Sequence, residues 1–489
     1  TRPSRTKVIE FRPLFFIAGV LLIMLGVAML IPAAADALTG NPDWTVFLAS
    51  AFVTLFVGGA MALTTRGNIR AIVVRQAFIL TTLSWVLLAA FSALPFVFSN
   101  LGLSYTDAFF EAMSGITTTG STVITGLANA PPGILLWRAL LQWLGGIGII
   151  VMAIAILPLL QVGGMQLFRM ESSDTSDKAF PRVAQISAAI AIIYLCLTIL
   201  CASAMWVAGM TPFEAMAHSM TTIATGGFST SDGSIGHFDS VALDWIIILF
   251  MILGSLPFVL YLAVVRGRPQ DLWRDTQVQW FFAIVVAAIV LIVGWQTLHS
   301  ELSFGAAFRL SAFNVVSIIT GTGYATADYN AWGALPVTAF FFFMFIGGCA
   351  GSTSCGIKIF RYQVLFATAR IQFRRLWQPH GVFSPLYNRK PIPESVTDAV
   401  MSFFFLFALT FGVLALALTL IGLDFVTAVS GAATAIANVG PALGDIIGPA
   451  GTFTSLPDSA KWILSAGMLL GRLELFTVLV LFTPAFWRA

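Results

Sequence analysis

Residues Thr106–Thr122 read TDAFFEAMSGITTTGST. An apolar run of roughly 13 residues is too short to cross a bilayer, which takes about 20 helical residues for a core about 30 Å thick. This one opens on Thr106-Asp107, suited to a helix start, and ends in Thr117-Thr118-Thr119-Gly120-Ser121-Thr122. The pattern recurs three times. The run 212–225 follows Thr211-Pro212 and ends in Ala224-Thr225-Gly226-Gly227-Phe228-Ser229-Thr230. The run 308–321, with Ser303 a little upstream, ends in Thr320-Gly321-Thr322-Gly323-Tyr324-Ala325-Thr326. The run 426–438 follows Asp424 and ends in Ala437-Asn438-Val439-Gly440-Pro441-Ala442. With Gly120, Gly226, Gly323 and Gly440 as reference points, the copies are 106, 97 and 117 residues apart.

Outward from these runs the chain is apolar. Of its 489 residues 58% are hydrophobic and only 10% charged, against about 25% charged in a soluble domain. That excludes an ordinary soluble enzyme, a disordered chain and a nucleic-acid-binding domain. Ten long segments are candidate spans: 14–35, 44–64, 77–98, 134–160, 183–209, 241–265, 277–298, 334–370, 397–421 and 461–485. From residue 77 onward the chain therefore reads span, short run, span, four times over. The expected architecture is an all-α integral membrane protein. Two leading helices (1–70) precede four pore units at 71–165, 166–270, 271–375 and 376–489, with pseudo-fourfold symmetry around one pore.

The basic residues test this map. With the start inside, inside segments hold Arg2, Arg5, Lys7, Arg12, Arg66, Arg70, Arg75, Arg169, Lys178, Arg182, Arg266, Arg268, Arg274, Arg370, Arg374, Arg375, Arg389, Lys390 and Arg488, with Lys358 and Arg361 near the inner end of the eighth segment. The outside loops carry Asp36, Asp43, Asp232 and Asp239 instead. This is the positive-inside pattern, and it puts both termini in the cytoplasm. No signal peptide is visible, since the basic start runs into an apolar stretch too long for one. The missing initiating Met fits a trimmed sequence.

A short helix that stops inside the membrane is followed by backbone that no helix satisfies. Such backbone is tolerated only where it is buried in protein or lines a water-filled path. Its carbonyls can replace the hydration shell of a cation, and the negative end of the helix dipole favours the same charge. Glycine admits the backbone angles that this needs. Gly and Thr are also ordinary helix-packing residues in membranes, so one motif says little. Four copies, at one place in each unit and on one side, favour the pore-loop reading.

Two features point to control of such a path. The eighth segment breaks at Gly347-Gly348-Cys349-Ala350-Gly351-Ser352-Thr353-Ser354-Cys355-Gly356, where each glycine costs a helix about 1 kcal/mol relative to alanine. A flexible loop inside the protein and a close helix crossing both fit. Arg472 lies about 16 Å along a helix from Lys461 and about 24 Å from Arg488, too deep to reach water easily. It is either a fixed positive barrier in a cation path or a structural partner of Glu474 or of loop carbonyls. Arg138, after Trp137, is expected to anchor at the interface. Arg309, at a helix start, should meet a carboxylate or carbonyl. Glu111 and Glu214 suit either cation attraction or bonding to loop backbone, and His218 suits a buried hydrogen bond. Cys196, Cys201, Cys349 and Cys355 have no metal or disulfide spacing and read as small apolar fillers.

These four motifs together resemble the Trk/Ktr/HKT superfamily of potassium transporters, most closely the bacterial Trk-type membrane subunit. The resemblance covers nearly the whole chain and implies potassium uptake across the bacterial inner membrane. By position it implies a filter at Thr119-Gly120-Ser121, Thr225-Gly226-Gly227, Thr322-Gly323-Tyr324 and Val439-Gly440-Pro441, with Thr118, Ala224, Gly321 and Asn438 just ahead. Potassium would then bind at Thr119, Gly120, Thr225, Gly226, Thr322, Gly323, Val439 and Gly440. In relatives glycine at all four reference places goes with potassium passage, and serine at the first goes with sodium preference; here the first is Gly120. The resemblance also implies a gate made of Gly347, Gly348, Gly351, Ser352, Thr353, Ser354 and Gly356 with Arg472. It departs at Cys355, where relatives usually carry glycine.

No nucleotide-binding motif or soluble domain is legible, so the resemblance implies a membrane homodimer controlled by a separate cytosolic nucleotide-binding subunit of the TrkA type. The basic stretch Arg370–Lys390 suits docking of that subunit or of membrane lipid head groups. The competing reading is an alternating-access carrier of a small solute, which predicts inverted repeats, whereas these units run in parallel sense. Channel-like flow and proton-coupled symport both remain open. The interior lacks the clustered His, Asp or Cys of a membrane enzyme.

Overall fold

The computed structural model describes residues 10–67, 73–155, 179–388 and 390–488. Arg2, Arg5, Lys7, Arg70, Arg169, Lys178 and Arg389, the side chain of Arg182 and the boundaries at 70/71 and 165/166 lie outside the described residues.

The chain is mostly helical, with one two-stranded ribbon pairing Leu386–Tyr387 with Lys390–Pro391. Seven described helices are long and apolar enough to cross a membrane: Arg12–Thr39, Trp44–Thr64, Val74–Phe98, Pro132–Met152, Ala184–Val207, Thr276–His299 and Glu394–Leu420. Two further segments, expected as single spans, are bent pairs. Val241–Ser255 and Phe258–Val265 meet at 97°, and Asp458–Arg472 and Phe476–Phe482 at 108°. The first bend follows from Pro257, which has no N–H to donate and pushes Leu256 to extended backbone at ψ 156. The Tyr261 hydroxyl then satisfies the Leu253 carbonyl at 2.6 Å. The second bend passes through Glu474 and Leu475, both at positive φ (61° and 29°). The eighth expected span is two helices, Ala334–Phe343 and Ile359–Trp377, joined by a loop over 344–358.

The two leading helices cross closely because Gly19 faces Gly58. A Cβ on either would lie under 3.0 Å from the other's carbonyl oxygen. The pair is tied to the rest of the chain by Asp36, whose carboxylate accepts from the Gly133 N–H at 2.6 Å, at the start of helix Pro132–Ala155.

Four short helices form the centre: Tyr105–Ile116, Pro212–Ile223, Phe304–Thr320 and Phe425–Ala437. Ser104, Thr211, Ser303 and Asp424 cap them, each side chain accepting an N–H in the first turn. The first therefore opens two residues ahead of the expected Thr106. Glu214 completes a capping box with Thr211, so its role is structural. Most residues of these helices are buried, which fixes their C-terminal ends deep in the protein.

Candidate functional site

Each short helix ends in the same turn. Thr118, Thr225, Gly321 and Asn438 lie in the left-handed region, at φ 53°, 50°, 73° and 52°. The next residues, Thr119, Gly226, Thr322 and Val439, donate their N–H to the carbonyl five residues back, at 2.8, 2.9, 2.9 and 3.1 Å. This is the 6→1 bond of a Schellman turn. A glycine at positive φ follows in every case: Gly120, Gly227, Gly323 and Gly440, at 92°, 78°, 83° and 104°.

The turn corrects the sequence alignment in the second unit. Gly227, not Gly226, is the counterpart of Gly120, Gly323 and Gly440. Gly226 takes the place of Thr119, and Thr225 that of Thr118. Ala224 falls one position ahead, with helical angles (φ −72°).

The four turns close on one another in a ring. A Cβ built on Gly120 would lie under 3.0 Å from the carbonyl oxygen of Gly226. Gly227 stands in the same relation to Thr322, Gly323 to Val439, and Gly440 to Thr119. Each glycine thus meets the carbonyl of the next unit, and the fourth returns to the first. Any side chain at these glycines would push a ring carbonyl out of place. Among the described residues Gln142 donates to the Gly226 carbonyl at 2.7 Å, while the carbonyls of Thr119, Thr322 and Val439 accept no protein hydrogen bond. Buried carbonyls without donors are costly unless something else satisfies them. No group of three or more His, Cys, Asp or Glu gathers among the described residues, so the oxygens here are those of backbone and hydroxyl groups.

Side chains brace the ring from behind. The Ser121 hydroxyl donates to the Gly440 carbonyl at 2.8 Å, and the Asn438 amide to the Thr119 hydroxyl at 2.9 Å. Tyr324 bonds Thr221, and the Tyr324 carbonyl accepts from Ser317 at 2.7 Å. His218 is buried between the Glu214 carbonyl (2.8 Å) and the Ser229 hydroxyl (3.0 Å), the hydrogen-bonding role its sequence position suited. Arg138 is not an interfacial anchor. It is 1% exposed and pairs at 2.8 Å with Glu111, itself 0% exposed. It also donates to the Ser229 carbonyl and the Thr122 hydroxyl and lies 4.1 Å from the centre of the Phe228 ring. Glu111 in turn accepts from the Val123 N–H at 2.9 Å. Arg138 and Glu111 so clamp the strands that leave the first and second turns. Arg309 meets Asp244 at 2.9 Å, the carboxylate its position called for, and Lys461 meets Asp107 at 2.5 Å.

The 344–358 loop lies against the ends of the short helices. The Thr353 hydroxyl reaches the carbonyls of Ile223 (2.9 Å) and Gly254 (2.8 Å). The Ser354 hydroxyl donates to the Thr320 carbonyl at 2.6 Å, and the Cys355 sulfur lies 3.4 Å from the Thr118 hydroxyl. Backbone bonds join Cys349 to Ser255, Thr353 to Gly254 and Phe258 to Gly351, and Gln277 accepts from the Ala350 N–H at 3.0 Å. The glycine-rich sequence is therefore closely bonded here rather than slack. Arg472 ends the helix Asp458–Arg472 and donates to the Thr353 carbonyl (3.2 Å), the Gly145 carbonyl (3.3 Å) and the Cys355 sulfur (2.7 Å). Cys355 is thus a contact of the arginine and not a mere filler. Glu474 pairs with Arg361 and leaves Arg472 to the loop. Beneath the loop a cavity of ≈ 30 Å³, lined by Ser354, Cys355, Lys358, Arg472 and Glu474 among others, has room for a water.

Sequence reasoning missed Gln142, and it named Ser121 and Tyr324 in the filter without their bonds to Gly440 and Thr221 of other units. Their one signal is that polar groups deep in a membrane segment need partners.

The TrkH family, described as cation transport proteins, matches residues 44–489. The Trk system potassium uptake protein TrkI of Halomonas elongata is 47% identical over 489 residues, covering 100% of this chain and 99% of that protein. The Trk system potassium uptake protein TrkH of Vibrio parahaemolyticus is 41% identical, with 98% and 100% covered. The crystal structure of the potassium transporter TrkH from that organism superposes with a TM-score of 0.92 at 39% identity, over 98% of this chain and 100% of the other. With a family match over most of its length, full-length relatives and a shared fold, this multi-pass membrane chain is a transport protein rather than an enzyme and belongs to the TrkH family.

Proposed function

We propose that the chain carries potassium into the cell through the ring of carbonyls at Thr119, Gly226, Thr322 and Val439. The observation that carries this reading is the closed order of the ring, in which each glycine abuts the carbonyl of the next unit. Oxygens on four sides of one axis, three of them without donors among the described residues, replace the hydration shell of a monovalent cation. The names of the similar proteins favour potassium. The residues held to line the path become Thr118, Thr119 and Gly120; Thr225, Gly226 and Gly227; Gly321, Thr322 and Gly323; and Asn438, Val439 and Gly440.

In this reading ten crossings place four parallel units around one pore in pseudo-fourfold order. The basic segments face the cytoplasm of a bacterial inner membrane. The 344–358 loop closes the path beneath the ring, and Arg472 adds a positive barrier. The exposed Arg370, Arg374 and Arg375, beside Phe373 (73% exposed) and Trp377 (91% exposed), suit docking of a cytosolic nucleotide-binding subunit to a membrane homodimer.

The test is uptake of radioactive rubidium into potassium-loaded proteoliposomes, with external potassium, sodium or lithium as competitors. Uptake that potassium blocks and sodium leaves alone is expected. Equal block by sodium refutes potassium selectivity. No uptake, with the cytosolic partner added, refutes the substrate.

A further inference from the structure

Gln142 is fully buried in helix Pro132–Ala155 of the first unit, yet both its bonds cross to the second. Its Nε2 donates to the Gly226 carbonyl at 2.7 Å, and its Oε1 accepts from the Phe228 N–H at 3.0 Å. Gly226 holds the position that Thr119, Thr322 and Val439 hold in the other turns. Those three bring their own side chain. At Gly226 a Cβ would lie under 3.0 Å from Cδ, Oε1 and Nε2 of Gln142. The space that a threonine or valine side chain fills elsewhere is filled here by an amide from the neighbouring helix.

The other units offer a comparison. Gly145, Gly254 and Gly471 each press against the carbonyl of an equivalent residue in their own short helix, Ile116, Ile223 and Ile436. Three residues before these glycines stand Gln142, Met251 and Met468, all buried. Methionine has no N–H to offer. Of these three units only the first brings an amide, and the side-chain-free position it serves is peculiar to the second.

We infer that Gln142 and Gly226 form a coupled pair that holds the second ring carbonyl in place and so sets which monovalent cation the ring accepts. The inference rests on the proposed filter. A carbonyl tied to a buried amide on one side and to its own turn on the other cannot swing inward onto a smaller ion without breaking a bond. Among the described residues the other three ring carbonyls have no such tether, so the second is where the ring resists collapse. Gln142 is a positioning residue, since it acts through the Gly226 carbonyl.

The test compares Q142M, G226T and the double variant Q142M/G226T with G323S, a ring change whose new side chain meets the Val439 carbonyl and not the pair. The readout is sodium competition against radioactive rubidium uptake in proteoliposomes, together with thermal unfolding of the purified protein. Q142M should lose about tenfold in potassium-over-sodium discrimination, the scale of one buried hydrogen bond. G226T should lose uptake and stability, and the double variant should recover part of both. A wild-type ion ratio in Q142M, or a double variant that behaves as the product of the two singles, overturns the coupling. Should Q142M fail to fold, G226T against the double variant still decides, because equal or lower stability in the double refutes it. If G323S shifts the ratio and Q142M does not, only the pair is wrong. If neither does, the filter reading falls with it.

Discussion

Replacing Gly323 with serine tests the ring most directly. At φ 83° the residue lies in a region that costs a side chain about 1–3 kcal/mol. The new Cβ would also stand under 3.0 Å from the Val439 carbonyl oxygen and 2.8 Å from the Pro441 Cδ. Ordinary contact begins at 3.4 Å. The proline ring cannot yield by rotating a bond, so the carbonyl gives way by 0.4 Å or more. That displacement widens one side of the ring and turns the oxygen from the axis. If about 1.4 kcal/mol of the preference for potassium resides in that oxygen, discrimination falls tenfold. The assay is sodium competition against rubidium uptake, with a thermal-unfolding control. A well-folded G323S protein with the wild-type ion ratio would refute the argument that glycine is there to keep the Val439 carbonyl aimed.

Arg472→Ala should raise basal rubidium uptake several-fold, because it removes a fixed positive charge, two bonds to the loop and one to the Gly145 carbonyl; lower uptake together with lower thermal stability would assign the arginine a structural role only. Thr353→Val keeps the shape but loses the donor shared by the Ile223 and Gly254 carbonyls, and should raise basal uptake without changing the ion ratio, as read in the same competition assay. Arg138→Met should destabilise the protein by about 3–5 kcal/mol, since it leaves Glu111 charged and unpaired in the interior; the double change with Glu111→Gln should recover much of that in thermal unfolding.

The parts of the fold legible in sequence were those written locally. Thr211, Ser303 and Asp424 announce three helix starts through their own side chains, and the glycines at 347, 348, 351 and 356 announce the interruption of the eighth segment. Arg309 at a helix start called for a carboxylate or a carbonyl, and Asp244 supplies the carboxylate. The register of the second turn was not legible. Two adjacent glycines look alike, and what separates Gly226 from Gly227 is the Gln142 side chain, 84 residues from the bond it makes. Pro257 signalled the bend at 256 and was there to be read. Nothing at Glu474-Leu475 signalled the other, because neither residue breaks helices by its own preference; the bend is held by Arg361 of another unit. Arg138 misled for the same reason: its neighbour Trp137 favours an interface, and Glu111 lies 27 residues away.

If the 344–358 loop closes the path as proposed, its bonding bears on how the path opens. The loop holds the second unit through Thr353, the third through Ser354 and the first through Cys355, while Arg472 of the fourth holds the loop. Each such bond contributes about 0.5–1.5 kcal/mol net, so withdrawing the loop costs several kcal/mol unless water follows it in. Shifting an equilibrium from 1:99 to 99:1 takes about 5.5 kcal/mol of differential binding. Those magnitudes match, so a path closed by this loop, as proposed, would need an agent that binds the open form more tightly; glycine content alone would not open it. The helix Ile359–Trp377 leads from the loop straight to exposed Arg370, Arg374 and Arg375. In the proposed reading, a partner that grips that end pulls on a segment that is bonded to all four units.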